Sequence, residues 1–401
     1  MTNEINAFDS AQFITRYWQK KPCVIRGFCP HFADPIDEHD LAGLAMEPDV
    51  DCRIVSFNND KWHVEQGPFV GFDAVCVGQW TLLVQGVDKY IDALSQLAER
   101  VNFIPHWRFD DIMVSFSVDN AGVGPHVDEY DVFIVQGKGR RRWQIGNPCD
   151  ATTILPHPLL KQIDGFTPRI DVELETGDAV YIPPKHPHHG VALEPCMNYS
   201  IGFRAPTDAE LVTGLLDEMG PSTVQTRYSD PYLETLRDTS SSPSAVSMAE
   251  INHLKKYMIE LISNENSVSA ILTYLSRQEL GIEGSSTPVS EKALTSLLNK
   301  GYSLNRLPAV KPIHLEASAL EDTFYFFIDG NDYQISCSSV VDRIFIEHFL
   351  NQPQFIVKHP TDDDQEINAS QRLKPFSNTG AWRRLVCQLV NDGYWELGEP
   401  E

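Results

Sequence analysis

Between Ile112 and Arg204 the chain is a succession of short apolar runs separated by glycine, asparagine and proline, and no other segment narrows the possible fold as much. Met113-Val114-Ser115-Phe116-Ser117, Asp131-Val132-Phe133-Ile134-Val135-Gln136, Arg141-Arg142-Trp143-Gln144-Ile145 and Asp178-Ala179-Val180-Tyr181-Ile182 are each too short for a buried helix. They are rich in the branched and aromatic residues that fill a pleated surface. Strands at this spacing, with regular turn signals, predict a closed or two-layered antiparallel architecture, a sandwich or a barrel. Residues 1–110 mix short helical patterns with short strands. Phe13 to Trp18 is an expected opening helix, and Pro22-Cys23-Val24-Ile25-Arg26-Gly27 reads as a strand stopped by glycine.

The β-rich span also carries the chemistry. In Gly122-Val123-Gly124-Pro125-His126-Val127-Asp128, residues two apart point to one face if the segment is extended. His126 and Asp128 then supply two members of a 2-His-1-carboxylate set, which leaves three positions open on a ferrous ion. A third ligand is expected from Gly177-Asp178-Ala179-Val180-Tyr181-Ile182-Pro183-Pro184-Lys185-His186-Pro187-His188-His189-Gly190. A Gly-Asp turn, a short strand, a proline pair and then a histidine is the second-motif pattern of double-stranded β-helix metal enzymes. Counting through it selects His188, with His186 and His189 left to orient the loop or face solvent. A bidentate 2-oxo acid and dioxygen would fill the open positions. The distal carboxylate of 2-oxoglutarate then needs a fixed cation. Strand alternation places Arg141 on the face of Trp143 and Ile145, and Arg140, Arg142 and Gln144 on the other. Arg141 is therefore the expected anchor, by bidentate pairing, and its neighbours are expected on a solvated rim.

These residues resemble a known family. The segment Met113 to Arg204 is similar to JmjC-type 2-oxoglutarate oxygenases, and within them to the bacterial ribosomal oxygenases of the cupin-like group. The resemblance rests on Gly-Pro-His126-x-Asp128-x-Tyr130-Asp131-Val132-Phe133, Gln136-Gly137-x-Gly139-x-Arg141-Arg142-Trp143, Tyr181-Ile182-Pro183-Pro184 and Asn198-Tyr199-Ser200-x-Gly202-Phe203-Arg204-Ala205-Pro206. It extends over nearly the whole chain, to Gly393-Tyr394-Trp395. It implies His126, Asp128 and His188 as iron(II) ligands and Arg141 for 2-oxoglutarate. It further implies Ser115 and Asn198 as polar contacts to that cosubstrate, and Asp119 and Tyr130 as contacts to a substrate guanidinium. The implied activity is dioxygen-dependent hydroxylation of an arginine of a large-subunit ribosomal protein at C3. The implied assembly is a dimer through the helical middle of the chain. One departure is Lys185, where this loop commonly has glycine; it bears on loop shape rather than on the ligands. Two rivals share the same features: a JmjC oxygenase acting on another protein residue (histidyl or asparaginyl hydroxylation, or lysine demethylation), and a non-catalytic cupin metal-binding module.

After Arg204 the texture changes. Thr207 to Met219 is an expected helix, and Asp238 to Ser244 an expected loop. Ser247-Met248-Ala249-Glu250 is a capping box ahead of the helical repeat Ile251, Leu254, Met258, Leu261 and Ile262. Beyond Val289 the order is helix, hairpin about Asp329-Gly330, and helix from Trp382 to Val390, which resembles a winged-helix module. The expected class is thus α+β: a double-stranded β-helix (cupin/JmjC jelly roll) over 1–206, a helical, dimerising segment over 207–285, and a winged-helix-like domain over 286–401.

Charge bears on the partners. With 56 acidic against 32 basic side chains the net charge is −24, which disfavours nucleic acid and anionic membranes and suits a basic protein. Residues 286–401 hold 16 acidic and 10 basic side chains, so DNA binding is not expected of the winged-helix-like part. Residues 1–21 lack a basic start and an apolar run, and no stretch is long and apolar enough to span a bilayer. The eight cysteines form no C-x-x-C pair. A cytoplasmic enzyme with reduced thiols is expected.

Overall fold

The punctuated runs fold as strands. The computed structural model describes residues 4–148, 152–220, 242, 244–316, 322–356 and 379–400. Backbone contacts divide the chain into two units, Met1–Ala205 with Asn305–Ala309, and Pro206–Leu304 with Val310–Glu401.

The strands of the first unit are β1 (Glu4–Ile5), β2 (Cys23–Ile25), β3 (Cys52–Asn58), β4 (Lys61–Gln66), β5 (Gln79–Val84), β6 (Phe109–Ser117), β7 (Asp131–Gln136), β8 (Arg141–Gly146), β9 (Thr153–His157), β10 (Leu160–Ile163), β11 (Pro168–Leu174), β12 (Ala179–Ile182), β13 (His188–Ala192) and β14 (Cys196–Phe203). A large sheet runs β1-β2-β12-β7-β14-β6-β5-β3-β4, and a small one runs β11-β8-β13. A core of Val132, Ile134, Val180 and Ile182 from the large sheet and Trp143, Ile145 and Leu174 from the small one lies between them. The large sheet's other face packs on an opening helix, α1 (Ser10–Arg16), and on α2 (Glu38–Leu44), through Phe13, Leu41, Phe133, Tyr181, Tyr199 and Phe203.

Two covered faces explain why every residue of β7 is buried. Val132, Ile134 and Gln136 face the small sheet, while Phe133 and Val135 face the helices. Each fully buried side chain of this size contributes about 1.5–3 kcal/mol. Pairing of β5 with β6 and of β2 with β12 draws the N-terminal strands into the same sheet.

In the second unit, reciprocal capping boxes open the helices Asp208–Glu218 (Thr207 with Glu210) and Met248–Ile262 (Ser247 with Glu250). Helices Glu265–Ser276, Glu291–Leu298, Val340–Asn351 and Thr379–Asn391 follow in order. The hairpin Thr323–Ile328 with Asn331–Ser336 turns on Asp329 (φ 47°) and Gly330 (φ 80°), as a two-residue turn requires. Of the expected loop 238–244, residues 238–241 and 243 lie outside the described residues.

Candidate metal centre

His126 and His188 meet through their backbones. Each amide donates to the other residue's carbonyl, at 3.0 and 2.9 Å, an antiparallel bridge that sets the two imidazoles opposite each other. A strand would give His126 and Asp128 one shared face, and the structure corrects that expectation. His126 sits in this isolated bridge and Asp128 follows in irregular backbone. What fixes Asp128 is the amide of Lys185, which donates to its carbonyl at 2.8 Å. Lys185 itself adopts φ 66°, the left-handed conformation that glycine takes without strain, so the loop keeps that shape with a lysine in place.

The ligand atoms of His126, Asp128 and His188 all lie within 4.8 Å of one another. Asp128 Oδ2 is 3.8 Å from His126 Nε2 and 3.5 Å from His188 Nε2. Two bonds of about 2.0–2.2 Å to one divalent ion span these gaps. The tautomers also suit an ion. Nδ1 of His126 lies 3.0 Å from the Gly124 carbonyl, and Nδ1 of His188 lies 3.0 Å from the His186 carbonyl. A carbonyl only accepts, so each Nδ1 carries the proton and each Nε2 keeps its lone pair. Burial and the neighbouring His188 push the His126 pKa down to about 4, which keeps the ring neutral. Burial alone would raise the Asp128 carboxyl, but His188, His126 and Arg53 outweigh it and bring it to about 2. The Nε2 atoms of two histidines and one carboxylate thus converge, a donor set suited to iron(II).

Beside them lies a buried cation. Arg141 is 4% exposed and faces inward with Trp143 and Ile145. Arg140 and Arg142 point outward, paired with Glu194 and Asp171. Arg141 Nη1 donates to Asn198 Oδ1 at 2.8 Å and Nη2 to the Gly190 carbonyl at 3.4 Å, while Nε has no partner. Burial pushes its pKa down, and no carboxylate among the described residues pairs with it. A buried, uncompensated guanidinium is costly unless an anion joins it. Residue 190 is glycine, and its backbone runs close against this cation and Trp143. A Cβ there would stand 2.7 Å from Trp143 and 2.9 Å from Arg141 Nε. The donor set therefore suits a divalent metal, and the uncompensated cation suits the carboxylate of an oxo acid.

Ser115, on β6, lies directly opposite Asn198 on β14, and both are buried beside this cation. Tyr130 is 45% exposed; partial desolvation and the Asp128 and Asp111 carboxylates push its phenol up. Asp119 is exposed on the loop after β6. His186 is buried, with its ring against the Pro184 carbonyl, and His189 is half-buried. Three contributors were given no role by the sequence: Gly190, Arg53 and Gln136. Of these only Gln136 offered a signal, as a polar residue closing an apolar strand.

Comparison with known proteins agrees with this geometry. The family model described as the JmjC domain matches residues 96–211. The ribosomal protein uL16 3-hydroxylase of Escherichia coli is 41% identical over 311 residues, 76% of this chain and 81% of that one. A probable ribosomal oxygenase of Haemophilus influenzae is 40% identical over 207 residues, 51% of each chain. Among solved structures, that of YcfD, a ribosomal oxygenase from Escherichia coli in complex with cobalt and 2-oxoglutarate, superimposes with a TM-score of 0.80 at 34% identity. The match covers 98% of this chain and 99% of that one.

Proposed function

From the premise that this chain belongs to the JmjC-domain ribosomal oxygenases, we propose that it hydroxylates an arginine of a large-subunit ribosomal protein at C3. It would use iron(II), 2-oxoglutarate and dioxygen. One observation carries this reading: a His-Asp-His set stands beside Arg141, a buried cation that no carboxylate among the described residues neutralises. The Escherichia coli relative is named for acting on uL16 at the 3-position. When bound, iron couples the decarboxylation of 2-oxoglutarate to succinate and CO2 with insertion of one oxygen atom into a C–H bond.

The residues divide the remaining work. His126, Asp128 and His188 hold the metal, and the carbonyls of Gly124 and His186 hold the two rings in the ligating tautomer. Arg141 takes the distal carboxylate of 2-oxoglutarate, with Asn198 and Ser115 as polar neighbours. Trp143 walls the pocket and helps to exclude water. Tyr130 and Asp119 meet the substrate guanidinium. The net charge of −24 is distributed, 28 acidic with 17 basic side chains over 1–204 and 28 with 15 over 205–401. Such a field steers a basic ribosomal protein inward and repels rRNA, so the reading favours the free protein as substrate.

The same reading takes the chain as a cytoplasmic protein organised as 1–206, 207–285 and 286–401, the last part winged-helix-like and without nucleic-acid binding. No helix of the described residues is long and apolar enough to cross a membrane. It also takes the protein as a homodimer through the helical segment. In support, the helix Met248–Ile262 buries no residue, and Leu254, Met258, Ile259 and Ile262 are 37–59% exposed. Sedimentation analysis of Met258→Glu tests the dimer: a monomer is expected, and an unchanged dimer would remove this interface. The activity is tested by succinate formation with a basic ribosomal peptide; none formed with iron(II) supplied would overturn it.

A further inference from the structure

The side chain of Gln136 is fully buried at the end of β7, inside the sandwich. Its Nε2 faces four backbone carbonyls: Met197 at 3.1 Å, Lys138 and Gly139 at 3.3 Å each, and Gly137 at 3.5 Å. Carbonyl oxygens only accept. The reverse amide orientation would set Oε1 against all four, so Gln136 has one permitted orientation. Its Oε1 then accepts from Asn198 Nδ2 at 2.8 Å. That fixes Asn198 in turn: its nitrogen is committed to Gln136, and its oxygen is presented to Arg141 Nη1 at 2.8 Å. A flipped Asn198 would oppose N–H to N–H at Arg141 and oxygen to oxygen at Gln136.

The relay has a second property. Every partner along it is neutral. Backbone carbonyls, Gln136, Asn198 and the Gly190 carbonyl hold the guanidinium in place without cancelling its charge. A carboxylate at 198 would pair with Arg141 and neutralise it, leaving less charge for a ligand.

We infer that Gln136 is a positioning residue for the cosubstrate: by fixing the orientation of Asn198 it aims Arg141 and keeps its charge available to the distal carboxylate of a 2-oxo dicarboxylic acid. The inference rests on the 2-oxoglutarate reading above and adds a residue that touches neither metal nor cosubstrate.

The test compares two probes on the full-length protein with cobalt(II) bound: 2-oxoglutarate, and 2-oxopentanoate, which has a methyl group in place of the distal carboxylate. Wild type is expected to prefer 2-oxoglutarate strongly. In Gln136→Leu, 2-oxoglutarate affinity should fall by about tenfold to a hundredfold, with 2-oxopentanoate and cobalt binding changed by no more than about twofold. A merely structural role would lower both oxo acids alike. Asn198→Asp gives the second arm: a carboxylate beside Arg141 should collapse the preference while the protein stays folded. Gln136→Met serves in place of Gln136→Leu if the latter fails to fold, with the same loss of preference expected. A wild type that does not prefer 2-oxoglutarate would overturn the functional reading itself. A wild-type preference that survives in the Gln136 and Asn198 variants would overturn this inference alone.

Discussion

Arg141→Met should make the protein more stable and useless at the same time. Without a dicarboxylate, the guanidinium is 4% exposed, makes one good and one long hydrogen bond, and leaves Nε unpaired. Burying an ion costs several kcal/mol even after relaxation, and the unpaired N–H costs about 1–3 kcal/mol more. Methionine keeps much of the volume and removes both penalties. The opposing term is Asn198 Oδ1, which loses its donor at about 1–3 kcal/mol. The two unpaired-group terms offset, and replacing a buried ion by an apolar side chain of similar volume leaves a gain of about 1–4 kcal/mol, which in a unit of this size raises Tm by about 2–16 °C. Against that, two charged hydrogen bonds to a carboxylate, at about 1.5–3 kcal/mol each, are lost from binding. That corresponds to about two to four orders of magnitude in the Kd for 2-oxoglutarate. Thermal unfolding of the ligand-free protein and calorimetric titration of the cobalt(II) form with 2-oxoglutarate measure the two effects. A variant that melts several degrees below wild type, or binds 2-oxoglutarate within tenfold of it, refutes the reasoning.

Other outcomes follow from the same geometry. Gly190→Ala, which crowds Trp143 and Arg141 Nε, should lose 2-oxoglutarate binding by about a hundredfold or more while cobalt affinity is kept; equal affinity in titration would show that the pocket yields. Burial, against the opposing hydrogen bond from Gly86, pushes Asp111 up to about 7. Folding therefore favours its protonated form, and stability is lost as pH rises from about 4, the unfolded pKa, to about 7. Asp111→Asn should remove that slope: its Tm advantage over wild type should grow between about pH 4 and 7 and level off above, whereas an advantage largest in acid would contradict the sign. Turnover on a basic ribosomal protein should fall as salt rises from low to physiological strength, with KM carrying the change; a flat profile would exclude steering by the −24 charge.

What the sequence made legible was local. The alternation that turns Arg141 inward with Trp143 and Ile145 is a property of one strand, as are the Asp329-Gly330 turn and the Ser247–Glu250 capping box. The convergence of His126, Asp128 and His188 was anticipated for a partly wrong reason. An isolated bridge between two distant segments and the Lys185 amide do the placing, not a strand. Long-range pairing escaped altogether. Nothing near Cys52 or Gln79 announces that those strands extend the catalytic sheet, because a ladder is specified only by both partners. Gly190 escaped because its contribution is a close backbone approach that leaves no space for a Cβ, and Gln136 because its contribution is the orientation of another side chain.

The central claim is that these residues insert one atom of dioxygen into a ribosomal arginine. It is tested most directly by incubating the protein with iron(II), 2-oxoglutarate, isotopically labelled dioxygen and a recombinant large-subunit ribosomal protein, and mapping the product by tandem mass spectrometry. The account predicts one labelled oxygen atom on an arginine side chain at C3, with one succinate formed per modification. An unmodified protein, a label on another residue type, or loss of a methyl group in place of oxygen gain would contradict it.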